Sequence, residues 1–313
     1  MKIWIFTDCH IGRLPTSDFQ NAINDIKNVA YPDLVLALGD LVNDSLESQF
    51  DTYLSIKNGS GLADRWFELL GNHDISYGTI TQRGACDKLG IEPCYEVIVG
   101  NLVFLMVSDI GTPDGSQYNQ VCGDVTDEQW NWIQQKLAYW NKLPVNLFLC
   151  THQPPYNSTY SSTESCMYQI NRDWASLLDR YKVDVWLHGH VHSSSVYSPW
   201  QTTWHNCKVI SCNSLANWCI FGANPIDSKV MYINEGEKEA LFKYRNHETQ
   251  SWNSTYDVTI PLRYAFDPNW TPEEVPQIPQ LPEMITEMIG GTLAIIILAE
   301  FLRKLHRDRR RKS

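Results

Sequence analysis

What most constrains this chain is a series of short apolar runs, each followed at once by a polar side chain able to bind a cation. Lys2 to Thr7 ends at Asp8, Leu34 to Leu38 at Gly39-Asp40, and Trp66 to Leu70 at Gly71-Asn72-His73. Val145 to Cys150 ends near His152, and Val183 to Leu187 leads into Gly189-His190. Runs of four to eight residues rich in Ile, Val, Phe and Trp, bounded by Gly or Asp, read as strands buried on both faces. Helical segments such as Asp18 to Val29 and Asp127 to Trp140 lie between them, and that alternation predicts βαβ units. In such sheets ligands bind beyond the carboxyl ends of the strands. Each candidate ligand sits at that end.

Carboxylates and imidazoles suit Mn, Fe, Zn and related divalent cations, and a carboxylate can bridge two ions about 3.5–4 Å apart. The chain offers Asp8-Cys9-His10, Gly39-Asp40, Gly71-Asn72-His73-Asp74, His152 and Gly189-His190-Val191-His192. A lone histidine is more often a core or surface residue than a ligand. The weight comes from five short motifs in order, each after an expected strand.

Taken in that order, the motifs resemble the DxH, GDxx(D/N), GNH(D/E), H, GHxH signature of the calcineurin-like metallophosphoesterases, over Asp8 to His192. The resemblance implies an α/β fold, a two-sheet β-sandwich flanked by helices in four layers. It implies one metal on Asp8, His10, Asp40 and His192, and a second on Asp40, Asn72, His152 and His190, with Asp40 as the bridge. Mn²⁺, Fe²⁺/Fe³⁺ and Zn²⁺ all suit these donors. A metal-bridging hydroxide would attack phosphorus, and His73 would touch the phosphate and protonate the leaving oxygen.

One departure bears on that last role. Asn43 stands three residues after Asp40, where many relatives carry an aspartate that pairs with this histidine. An amide orients His73 but does not balance an imidazolium charge. The adjacent Asp44 is a candidate substitute. Asn43-Asp44-Ser45 and Asp74 differ from the Asp-Arg-Gly and Glu of the protein Ser/Thr phosphatases, and His10 and Asn43 differ from the Gly and Tyr of the purple acid phosphatases. What remains resembles the small phosphodiesterase and phosphomonoesterase group that includes cyclic-nucleotide phosphodiesterases. The expected substrate is a small or nucleotide phosphoester. The competing readings are a metal-dependent nuclease of the same family and a non-catalytic scaffold with this fold.

Composition sets limits on partners. The formal charge is −11, but Arg303 to Lys312 carries +6, so the rest sums to −17. An acidic body argues against charge-driven wrapping of nucleic acid. The nine cysteines are odd in number, scattered and without a CxxC pair, which fits buried thiols in a reducing compartment. No apolar run follows Met1 at secretory length, so a cytoplasmic enzyme is expected, and the sequons at Asn58, Asn157 and Asn253 read as chance. Tyr156, Tyr160 and Tyr168 follow His152 and are candidate base-stacking residues, against the plainer reading of a surface loop.

Further strands are expected at Lys208 to Ser211, Val230 to Asn234, Leu241 to Arg245 and Tyr256 to Leu262, extending a second sheet. The catalytic domain is expected over 1–267, followed by a Pro-rich linker over 268–283. Residues 284–313 combine an apolar centre, Ile289 to Ala299, with the basic end. This is short for a span, and a helix lying in a cytoplasmic membrane face is weighed against a docking or oligomerisation helix.

Overall fold

The computed structural model describes residues 1–13, 15–75, 78, 80–109, 124–159, 162, 172–192, 195, 198–219 and 222–272. Tyr160, Tyr168, most of the linker and the tail at 284–313 lie outside them.

Alternation along single strands builds the layers. In β1 (Lys2–Phe6), Ile3 and Ile5 point to one side, Trp4 and Phe6 to the other, and all four are fully buried. Trp4 and Phe6 pack with Phe19, Ile23 and Ile26 of α1 (Thr16–Val29) and with Phe50 and Tyr53 of α2 (Glu47–Gly59). Ile3 and Ile5 instead join Leu34, Leu36 and Leu38 of β2 (Leu34–Leu38) and Leu69 of β3 (Trp66–Leu69). Opposite them stand Phe104 and Met106 of β5 (Leu102–Val107), Phe148 and Cys150 of β6 (Asn146–Thr151) and Leu187 of β7 (Val185–His188). The alternate residues of that second sheet, Val103, Leu105, Leu147, Leu149 and Trp186, meet Ile133 and Leu137 of α4 (Asp127–Trp140) and Trp174 and Leu178 of α5 (Trp174–Arg180). Three apolar layers therefore separate helix, sheet, sheet and helix, which is the expected sandwich.

Two edges complete the sheets. The first runs β14 (Ser251–Trp252), β13 (Glu239–Asn246), β12 (Asp227–Tyr232), β1, β2, β3, with β15 (Val258–Pro261) also on β13. The second runs β4 (Cys94–Val99), β5, β6, β7, β9 (Cys207–Ser211), β8 (Gln201–Trp204). β1, β2 and β3 are mutually parallel, as are β5, β6, β7 and β9. A short hairpin, β10 (Trp218–Cys219) with β11 (Gly222–Ala223), and α3 (Gln82–Leu89) make up the rest.

Only one of the four late strands extends the second sheet. Cys207–Ser211 lies beside β7, whereas Asp227–Tyr232 returns antiparallel onto the free side of β1 and carries β13 and β15 outward from there. Periodicity showed that these segments are strands, but the choice of sheet depended on which edge lay open.

Met1–Trp270 forms the first of two units. Within the first, the chain after β15 is fastened by Asn101 Nδ2 to the Ala265 carbonyl (2.7 Å) and Asn146 Nδ2 to the Tyr264 carbonyl (2.9 Å). Among the described residues no helix is long and apolar enough to cross a membrane.

Candidate metal centre

Six of the seven candidate side chains converge where the parallel strands of both sheets end, and the seventh, Asn72, is buried in the loop after β3. Asp8 and His10 follow β1, Asp40 follows β2, Asn72 follows β3, His152 follows β6, and His190 and His192 follow β7. All are buried. The donor atoms of Asp8, His10, Asp40 and His192 lie within 4.8 Å of one another, as do those of Asp40, His152 and His190. Asp40 belongs to both groups. His152 Nε2 is 3.3 Å from Asp40 Oδ2, His10 Nε2 is 3.6 Å from the same oxygen, and His192 Nε2 is 3.2 Å from Asp8 Oδ1.

The backbone bends to achieve this. Asp8 (φ 54°), His10 (41°), Asp40 (50°), His190 (69°) and His192 (45°) are all left-handed, a conformation that costs a non-glycine residue about 1–3 kcal/mol. Hydrogen bonds between loops hold it: Asp8 N to the Gly39 carbonyl and His10 N to the Asp40 carbonyl at 3.0 Å, and His190 N to Asp8 Oδ2 at 3.2 Å. The motif glycines follow from crowding. A Cβ on Gly39 would stand 2.6 Å from His152 Nδ1, and one on Gly71 2.8 Å from His152 Cδ2. Neither approach tolerates a side chain.

Two buried carboxylates bind main chain beside the cluster. Asp74 accepts from Val42 N (2.9 Å) and Gly71 N (2.7 Å), joining the loops after β2 and β3. Asp109 accepts from His152 N (2.7 Å) and Gln153 N (2.9 Å), joining those after β5 and β6. Sequence reasoning missed Asp109. The signal was present, because Leu102 to Ser108 is another apolar run that ends in an aspartate.

The electrostatics suit cations. Burial, with His192 beside it, pushes His10 down to about 3, and burial with His152 does the same to His190, so both imidazoles are neutral and offer lone pairs. Burial alone would raise Asp40, but His152, His73 and His10 outweigh it and hold the carboxyl well below its ordinary range. Burial opposes a charge on His152 as well, yet Asp40 and Asp8 lift it to about 10. The carboxylates that raise His152 are placed to draw a cation by the same attraction. Asn72 Oδ1 and His190 Nε2 are buried with no hydrogen-bond partner among the described residues. A buried acceptor left so costs about 1–3 kcal/mol, and cation ligation removes the cost. The residues therefore fit two divalent ions.

His73 lies beside this cluster, its ring edge-on to that of His10 at 4.6 Å. Its amide donates to Asp40 Oδ1 (2.8 Å), and its Nδ1 meets the backbone carbonyl of Asn43 at 2.8 Å. The contact is thus made by the main chain of Asn43. The Asn43 side chain turns to Asp44 Oδ1 (2.6 Å), and Asp44 Oδ2 takes Gln49 Nε2 (2.8 Å). Tyr156, of the three candidate stacking tyrosines, is described and exposed.

Residues 1–194 match the family model of the calcineurin-like phosphoesterases. The chain belongs to that family. It is 31% identical over 102 residues to an acid phosphatase of Aspergillus ficuum, a stretch spanning 31% of this chain and 16% of that protein. Its fold is similar to that of a dimetal phosphatase from Danio rerio, with a TM-score of 0.61 and 13% identity over 83% of this chain and 98% of that one. It is also similar to GAP50, the anchor in the inner membrane complex of Plasmodium, with a TM-score of 0.54 and 15% identity over 84% and 89%.

Proposed function

We propose that the protein hydrolyses small phosphoesters, phosphodiesters or phosphomonoesters including those of nucleotides, at a centre holding two divalent ions. One observation carries this reading: two buried donor groups share a single carboxylate, Asp40. Asp8, His10, Asp40 and His192 would hold one ion, and Asp40, Asn72, His152 and His190 the other. Mn²⁺, Fe²⁺/Fe³⁺ and Zn²⁺ all match these donors. When bound, such a pair acidifies water and offsets negative charge on the phosphoryl oxygens.

The chain supplies orientation and proton movement. Asp40 fixes the His73 amide, and the Asn43 carbonyl accepts a hydrogen bond from Nδ1–H, which leaves Nε2 to face the ester. As the imidazolium, protonated at both nitrogens, His73 would donate its Nε2 proton to the leaving oxygen and be left neutral. Asp74 and Asp109 keep four loop ends in register. A phosphomonoester is favoured by the name of the Aspergillus relative, and the acidic body disfavours long nucleic acids. We extend the proposal to the chain plan, with a catalytic domain over 1–267, a Pro-rich linker over 268–283, and a basic, apolar tail over 284–313 that rests on a cytoplasmic membrane face.

A panel of bis-aryl phosphodiester, aryl phosphomonoester, cyclic nucleotides and single-stranded DNA, each with added Mn²⁺, tests the substrate class. Asp40→Asn is expected to lower kcat at least about a hundredfold. Equal activity of the two proteins would overturn the shared-carboxylate mechanism, and preferential cleavage of DNA would replace the small-substrate reading with a nuclease.

A further inference from the structure

Among the described residues Lys229 is the one fully buried lysine. It lies on β12, where it alternates with Val230 and shares the inter-sheet face of Met231. It is fully buried, and its polar partner among the described residues is a hydroxyl rather than a carboxylate. Its hydrogen bond goes to Ser195 Oγ at 2.6 Å, and the face of Trp200 lies 4.1 Å from Nζ. Ser195 Oγ in turn donates to Asn213 Oδ1 at 3.1 Å. Burial lowers the ammonium to about 8, against the opposing pull of Asp227.

A lysine so placed does little for stability, because a buried ion without a close countercharge is held at a desolvation cost and an apolar side chain of similar volume is often neutral or better. Its location is more informative. Lys229 belongs to the first sheet, Asn213 follows β9 of the second, and Ser195 stands three residues after His192. The cluster of Asp8, His10, Asp40 and His192 is assembled across the same divide, with only His192 drawn from the second sheet. The left-handed backbone at His190 and His192 needs its surroundings to hold it.

We propose that Lys229 is a positioning residue for the metal centre, acting through Ser195 to pin the segment that carries His190 and His192 against the first sheet. The inference rests on the two-metal reading. Ser195 is the point of transmission and Asn213 its anchor on the second sheet. Removing the ammonium frees His192 to drift from Asp8, so one ion is held less tightly while the fold persists.

The test is titration of the full-length chain with Mn²⁺ by calorimetry, alongside thermal unfolding of the ion-free proteins, for wild type, Lys229→Met, Ser195→Ala and the double variant. The expected result is that Lys229→Met unfolds at or above the wild-type temperature yet binds one Mn²⁺ equivalent about 10–100-fold more weakly, as loss of a supporting contact does. The double variant should bind no more weakly than the worse single one. Wild-type affinity for both ions in Lys229→Met, additive losses in the double variant, or a large fall in its unfolding temperature would each overturn the proposal. If the wild type itself binds fewer than two Mn²⁺, the two-metal reading fails and this inference fails with it. Two bound ions with unaffected variants defeat this inference alone.

Discussion

At the residue scale the motifs pointed to side chains, and the structure shows which of their atoms make contact. Asn43 read as an amide standing where a carboxylate would charge-balance His73, and the contact observed is instead with its backbone carbonyl. Side-chain identity at 43 should therefore matter little to orientation. We expect Asn43→Ala to change kcat by no more than about threefold and His73→Ala to lower it by about a hundredfold or more, as removal of a general acid does. Hydrolysis of an aryl phosphomonoester with Mn²⁺ measures both. A large loss in Asn43→Ala would show that the amide itself serves the histidine. The left-handed turns at five candidate ligands were not legible, because φ at a non-glycine residue is imposed by tertiary hydrogen bonds rather than by the residue's own preference.

At the element scale, the runs ending in Asp8, Asp40 and Asn72 became β1, β2 and β3 within a residue of their expected limits. The pair β4 and β5 went unread although Gly100-Asn101 between two apolar runs is a hairpin signal. A second network shows what sequence separation hides. Asp25 on α1 takes two hydrogen bonds from Arg245 on β13 and one from His247 Nδ1 (2.8 Å), whose Nε2 meets Ser228 Oγ at 2.8 Å. The order Ser228, His247, Asp25 has the form of a hydrolytic triad, but Ser228 is fully buried and its Oγ also takes the Trp4 indole proton, so the group ties α1 to the sheet.

That tie has a pH signature. Burial would raise the Asp25 carboxyl, but hydrogen bonds from Arg245 and His247 outweigh it and bring it from 3.8 down to about 2. The folded pKa is the lower one, so the stabilisation, about 2 kcal/mol, is full above pH 4 and lost as the pH falls through 2. Asp25→Asn leaves a buried guanidinium without its countercharge and should cost about 3–5 kcal/mol at pH 7. Denaturant unfolding at pH 7, 4 and 2.5 should show the gap between wild type and variant shrinking only below pH 4, and a gap independent of pH would sink the assignment.

At the scale of the whole molecule, the compact unit ends at Trp270, whose ring packs near Trp140 at 6.3 Å. A chain stopped after Pro272 should keep the wild-type unfolding temperature and Mn²⁺-dependent hydrolysis. One stopped after Asn253 loses β15, Phe266 and the tethers to Asn101 and Asn146, and should unfold at least about 8 °C lower. Similar unfolding temperatures for the two truncated chains would show that the last strand is dispensable. The sequence by itself determined that five buried strands are each followed by a side chain able to bind a cation, because burial and chain order are written in local pattern. It also determined the seven candidate ligands, since short motifs at strand ends survive without knowledge of the fold. Only tertiary structure decided that β12 returns to β1 rather than to the second sheet, that Lys229 meets Ser195, and that Asp109 holds the His152 amide. Those facts depend on which edges and which faces meet in space, and residues 182 positions apart, such as His10 and His192 with their Nε2 atoms 2.9 Å from each other, carry no local trace of the meeting.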